Sequence, residues 1–234
     1  MVLLILRRRT IFAALAVMVL AAVWLWPKGD VAASAAVGGG KPVVIVDAGH
    51  GGSDGGAVSP SGVAESGLNL AIALKLAGVL DVFGQPVVLT RTGESSLADD
   101  TSASLRQQKV SDTRNRVSLV NEYPHGVLLS IHQNTLPGHP TVQGAQSFHN
   151  GREGAEPLAA AIQQALNETV NAAEKSPRTT GDDVYLMKHA QCPAVLVECG
   201  FLSHPAEVER LGQREHQLCL ATAITAGYLQ FLHE

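Results

Sequence analysis

The stretch Val43-Val44-Ile45-Val46-Asp47-Ala48-Gly49-His50-Gly51-Gly52 decides the fold. Four β-branched apolar residues in succession read as a short strand buried on both faces, the habit of a parallel sheet rather than of an antiparallel one. The run ends at an acidic residue and a histidine set among glycines. Open α/β sheets present ligand-binding groups in this way, just beyond the C-terminal ends of their strands. Glycines on both sides of His50 permit backbone conformations closed to other residues and let a substrate approach closely.

Outward from this strand, apolar runs and helical periods alternate. Leu68, Ile72, Leu76, Val79, Leu80 and Phe83 recur at spacings of three and four, which predicts a helix over Glu65–Val82. Further strands are expected at Pro86–Thr90, Gly126–Ile131, Gly144–His149, Val184–Met187 and Ala194–Val197. Helices are expected at Asp112–Tyr123 and Gly154–Asn171, from Pro205, and over Glu215–Leu232. The polar stretch Arg91–Ser111 has no clear period and reads as a surface loop. Together these imply a three-layer α/β sandwich, a mainly parallel sheet of about six strands covered by helices on both faces.

Three strands end in an ionisable or metal-competent residue. Val43–Val46 leads to His50, Val127–Ile131 to His132 and Ala194–Val197 to Glu198, while Glu65 stands where the Gly-rich loop enters the first helix. Two neutral imidazoles and one carboxylate form a recurrent set for catalytic zinc, leaving a fourth position open to water. His50, Glu65 and His132 supply that set. Glu198 supplies the free carboxylate that a hydrolytic mechanism needs as general base and acid. Asp47 is a candidate acceptor for a ligand histidine, or a turn cap. His139 could line a cleft and His189 could meet substrate; Arg91 reads mainly as a structural pairing residue, with binding of an anionic peptide carboxylate as the alternative.

VDAGHGG, ESGLNL, SIHQN and LVECGF, in this order at these strand ends, resemble the signature blocks of the zinc-dependent N-acetylmuramoyl-L-alanine amidases of the amidase-3 type. The resemblance runs from Pro42 to the C-terminus. It implies zinc on His50, Glu65 and His132, Glu198 as the proton-transferring group, and hydrolysis of the amide between the muramic acid lactyl group and L-alanine in peptidoglycan. RNRVSLVNEYPHGVLLSIH and DDVYLMKHA are similar to the CwlD-type, spore-cortex members of that family. That subgroup implies muramic-δ-lactam formation for germination, cooperation with a muramic acid deacetylase and, for some members, a lipoprotein partner. Ala48, Thr135 and Ser203-His204 depart from the usual family residues without touching the four site residues. Two rivals stay open: a zinc peptidase or deacetylase acting on another cell-wall amide, and an inactive wall-binding scaffold.

The remainder of the chain bounds location and partners. Of 234 residues, 46% are hydrophobic, and part of that excess lies at the N-terminus. Arg7, Arg8 and Arg9 precede an apolar run from Thr10 to Trp26 of about 17 residues, enough to just span a bilayer. The arginines would stay cytoplasmic and the rest would be exported. Residues 1–28 are therefore expected to be a signal-anchor, 29–41 a flexible linker and 42–234 the catalytic domain. Ala33-Ser34-Ala35 is the alternative, a cleavage site that would release a secreted form. In a CwlD-like setting the domain would work in the forespore intermembrane space. A net charge of -4 without a basic stripe argues against nucleic acid. Cys192, Cys199 and Cys219 show no paired spacing and read as buried reduced thiols.

Overall fold

The computed structural model of the chain describes residues 40–99 and 104–233. The expected anchor (1–28) and all but the last two residues of the expected linker (29–41) lie outside the described residues. Among the described residues, no helix is long and apolar enough to cross a membrane.

Six strands form one sheet: β1 (Val44–Ala48), β2 (Val87–Leu89), β3 (Val127–Asn134), β4 (Gln146–His149), β5 (Arg178–Thr179) and β6 (Ala194–Phe201). Their spatial order is β2-β1-β3-β6-β4-β5. The four strands β2, β1, β3 and β6 run parallel, and β4 joins β6 antiparallel. Among the described residues six helices accompany them: α1 (Glu65–Val82), α2 (Leu105–Asn121), α3 (Ala155–Thr169), α4 (Tyr185–His189), α5 (Pro205–Leu211) and α6 (Arg214–Phe231).

The strand period of two sorts the core into two halves. Val44, Val46, Leu129, Ile131, Val195 and Val197 pack against Leu68, Ile72 and Leu76 of α1, Leu158 and Ile162 of α3, and Leu220 and Ile224 of α6. On the other face Ile45, Leu128 and Leu196 pack against Val120 of α2 and Leu186 and Met187 of α4. The strands are apolar on both sides because both sides are covered, as the three-layer expectation required.

Three elements differ from the sequence-based expectation. Val184–Met187 is not a strand: α4 occupies that region, with Leu186 and Met187 buried under the sheet. A short apolar run cannot by itself distinguish a strand from a buried helical turn. The edge position goes instead to the two exposed residues of β5. The third difference is α2, which starts at Leu105 rather than Asp112. Its entry is marked by Ser104 and Gln107, whose side-chain oxygen accepts the Ser104 backbone N–H at 3.1 Å. Its buried positions are Asp112, Arg116 and Val120. Two of those three inward residues are charged, so the helix carries almost no apolar period.

Helices α3 and α6 approach so closely that a Cβ on Gly227 would lie 2.4 Å from the Cα of Ile162 and 2.7 Å from the carbonyl oxygen of Ala161. Neither atom can move without displacing α3. Gly227→Ala is therefore expected to destabilise the domain by about 1–3 kcal/mol through overpacking, despite alanine's better helix propensity. Urea unfolding is the check, and an unchanged or raised midpoint would contradict the close approach.

Candidate metal and catalytic site

β1 ends at Ala48, and the chain turns through His50, which holds a left-handed backbone with φ of 61°. Gly51 and Gly52 follow with φ of 133° and 60°. A non-glycine residue in this region is strained, and here its surroundings compel it. The Ala48 carbonyl accepts hydrogen bonds from Arg91 Nε at 2.9 Å and Arg116 Nη1 at 2.8 Å. The Gly49 carbonyl accepts from Arg91 Nη2 and Asn69 Nδ2, and the His50 carbonyl from Arg116 Nη2. Arg116 is in turn ion-paired with Asp47 and Asp112. Burial would raise the Asp47 carboxyl, but Arg116, with hydrogen bonds from Ser130 and Thr90, holds it below the usual carboxylate range.

The turn aims His50 at Glu65, the first residue of α1. His50 Nε2 lies 3.2 Å from Glu65 Oε2, and His132 Nδ1, from the end of β3, lies 2.9 Å from Glu65 Oε1. The two imidazole rings stand edge to face with centroids 5.0 Å apart. Gly49 permits this arrangement: a Cβ there would fall 2.2 Å from His132 Nε2. Glu65 is 3% exposed and also accepts from the backbone N–H groups of Ala57 and Gln133 and from Asn69 Nδ2. Burial would raise its carboxyl; the two imidazoles hold it well below the usual range instead.

One ligand-capable atom from each of His50, Glu65 and His132 falls within 4.8 Å of the other two. A tetrahedral ion with bonds of about 2.0–2.1 Å sets its donors roughly 3.3 Å apart. The triad therefore fits one small divalent cation with little rearrangement. His50 Nδ1, facing away from Glu65, lies 2.9 Å from Asp54 Oδ2. Asp54 is itself tied to Lys109 of α2 and the Gly56 backbone N–H. Asp54 thus has the orienting position for which Asp47 was a candidate; Asp47 bonds no histidine and serves Arg116 instead.

Glu198 stands on β6 directly beside His132, its partner in the strand register. Its Oε2 is buried without a hydrogen-bond partner among the described residues. Burial pushes the carboxyl up to about 7, against the pull of His132 and His50 and with a push from Glu65. A carboxylate with one unpaired buried oxygen, beside two imidazoles, is costly to the fold and suited to exchanging a proton.

The other residues singled out in the sequence fall elsewhere. Arg91 is buried and spends its guanidinium on backbone carbonyls. His139 is exposed in the loop after β3, and His189 is exposed and stacked on Tyr185. All three cysteines are free; Cys192 and Cys199 are buried.

A family model for N-acetylmuramoyl-L-alanine amidases, Amidase_3, matches residues 44–230. The chain belongs to this family. It is 34% identical over 194 residues to the germination-specific N-acetylmuramoyl-L-alanine amidase of Bacillus subtilis, covering 82% of this chain and 80% of that protein. AmiA of Escherichia coli is 25% identical over 242 residues, covering 83% of this chain and 78% of its own. The CwlD amidase from Clostridioides difficile, solved in complex with the GerS lipoprotein, superposes with a TM-score of 0.78 at 33% identity. That match covers 82% of this chain and 99% of the solved one. As an Amidase_3 member the protein is an N-acetylmuramoyl-L-alanine amidase, and its six-stranded sheet is the family's architecture.

In the metal-free protein His50 is raised to about 9: burial opposes the charged form, but the Glu65 and Asp54 carboxylates prevail. Its contribution to folding is then fully present below pH ~6.5 and lost as pH rises through about 9. The same proton competes with a cation for the Nε2 facing Glu65. Affinity for a divalent ion is expected to rise about tenfold per pH unit between about pH 6 and 8. Asp54→Ala should weaken binding roughly 10–100-fold by freeing the His50 ring, and flatten the pH dependence by removing one of the proton's two anchors. Competition titrations with a chromophoric chelator measure both. Unaltered affinity in the variant would remove Asp54 from the site.

Proposed function

We propose that the amidase is zinc-dependent, with His50, Glu65 and His132 holding the ion and Glu198 transferring the proton. The observation that carries this reading is the convergence of three donors around one point with Glu198 adjacent in the sheet register. Zinc, when bound, would supply Lewis-acid polarisation of a carbonyl and a lowered pKa for water. Glu198 accepts a proton from the attacking water, because its own affinity for protons is raised by burial. It then delivers that proton to the departing L-alanine nitrogen. Glu65 stays ionised throughout as the carboxylate donor, while Asp54 orients the His50 ring through Nδ1. The two arginines keep the His50 turn from relaxing while charge moves beside it.

Glu198→Gln is nearly isosteric and removes only the titrating oxygen. It is expected to retain fold and metal content while losing on the order of 10²–10⁴ in turnover. The readout is mass spectrometry of digested peptidoglycan, in which free muramic carboxyls and free L-alanine amines report cleavage. Near-normal turnover by the variant would remove Glu198 from the mechanism. Release at any other amide would favour a peptidase or deacetylase.

We further propose the biological setting. Likeness to the germination-specific amidase of Bacillus subtilis supports a role in forming muramic-δ-lactam in spore cortex, together with a muramic acid deacetylase. The Clostridioides difficile complex supports a lipoprotein as partner. Residues 1–28 would anchor the chain, 29–41 would form a linker, and residues 42–234 would act as the catalytic domain outside the cytoplasmic membrane. Spores of a deletion strain should lack muramic-δ-lactam in muropeptide profiles; normal lactam levels would redirect the enzyme to general wall remodelling.

A further inference from the structure

Beyond Glu198 the sheet continues into a groove of about 540 Å³ that the proton-transfer chemistry does not use. Gln146 of β4, the register partner of Glu198, lies at its near side. Phe148 and Phe201 form apolar walls, and Lys175 and Arg178 supply positive charge. Arg178 is exposed on the edge strand β5, opposite Phe148, and its side chain makes no hydrogen bond or ion pair with any described residue. Lys175 lies 4.9 Å above the Phe201 ring and donates one hydrogen bond, to the Gly144 carbonyl, which leaves two of its three donors free. Burial lowers the Lys175 pKa, the Glu207 carboxylate opposes that shift, and Arg178 adds a repulsion. Glu207, buried against the Gly144 backbone, offsets part of the Lys175 charge, whereas the Arg178 side chain has no partner among the described residues and is available to an anion. The groove's one carboxylate, Glu174, is exposed, and both it and Lys175 also border a neighbouring surface depression.

We infer that this groove binds the leaving peptide stem, and that Arg178, with Lys175, selects stems whose second residue carries a free carboxylate. The inference rests on the reading of Glu198 as the proton-transfer group. Distances agree with it. Arg178 lies two strand spacings from β6 and level with Leu196, two residues before Glu198, so their backbones are roughly 12 Å apart. A peptide extends about 3.5 Å per residue, so a carboxylate on the second residue lies roughly 7 Å from the scissile nitrogen, within reach of an arginine side chain. In peptidoglycan that residue is a γ-linked D-glutamate, whose α-carboxyl is either free or amidated. An arginine fork distinguishes these two forms, because it pairs with a carboxylate and meets only a neutral amide in the other.

The test uses the metal-loaded Glu198→Gln protein, titrated calorimetrically on a timescale short against its residual turnover, with N-acetylmuramoyl-L-alanyl-γ-D-glutamyl-L-lysine and its D-isoglutaminyl counterpart, in which the third residue blocks the γ-carboxyl and only the α-group differs. The acid is expected to bind roughly tenfold more tightly than the amide, as for a charge-assisted pair. Adding Arg178→Gln, at an exposed position without partners, should abolish that preference and leave amide binding within about twofold. Equal affinity for the two ligands in the parent, or an undiminished preference after Arg178→Gln, would overturn the inference. Cleavage of the same two compounds by protein with Glu198 intact tests the amidase reading separately. Turnover of both at equal kcat/KM would leave that reading standing and defeat this one.

Discussion

The site depends on one buried electrostatic knot, Arg116 bound to Asp47 and Asp112 while its remaining donors hold the carbonyls of Ala48 and His50. Taking these charges out of water costs several kcal/mol per ion, about as much as their mutual attraction returns. The pair therefore adds little net stability, but it adds direction. Donors from Arg116, Arg91 and Asn69 converge on the three consecutive carbonyls of residues 48–50 and so tie down this path of the turn. His50 accepts a left-handed backbone because of that convergence.

From this follows the rigidity of the donor set. His50 is fixed by the turn, His132 by the end of β3, and Glu65 by the first turn of α1, where the helix dipole favours a carboxylate. Each sits on a regular element or immediately beyond one, so none relies on a mobile loop for its position. Asn69 links the parts, donating to Glu65 and the Gly49 carbonyl and accepting from Gln133. Glu198, by contrast, keeps a buried oxygen without a partner. Such an atom raises the energy of the resting state and makes a proton welcome there, which a general base requires.

Much of this was legible in the chain. The apolar strands, the Gly-rich turn after Val46 and the strand-end residues His50, His132 and Glu198 all stand in plain sequence patterns. Helix α1 was legible because its inward residues are leucines and isoleucines. Helix α2 was not, since it turns Asp112 and Arg116 inward and periodicity methods score those as solvent-facing. Asp54 is hidden for the same kind of reason: in a loop of Gly, Ser and Asp it looks like turn chemistry, and only the path of the turn brings it to His50 Nδ1. Lys175 and Arg178 lie in a polar stretch without period, where charge alone signals nothing.

The sequence by itself determined the layer order, because runs of β-branched residues must be covered on both faces, and it named the ionisable groups at the strand ends. Tertiary structure alone decided their pairing: which carboxylate faces which imidazole nitrogen, that Asp47 serves Arg116, and that Lys175 and Arg178 line one groove. The physical reason is that burial and strand period are local properties of the chain, whereas a hydrogen bond between residues about 70 positions apart, such as Arg116 to Asp47, exists only once strand and helix have packed.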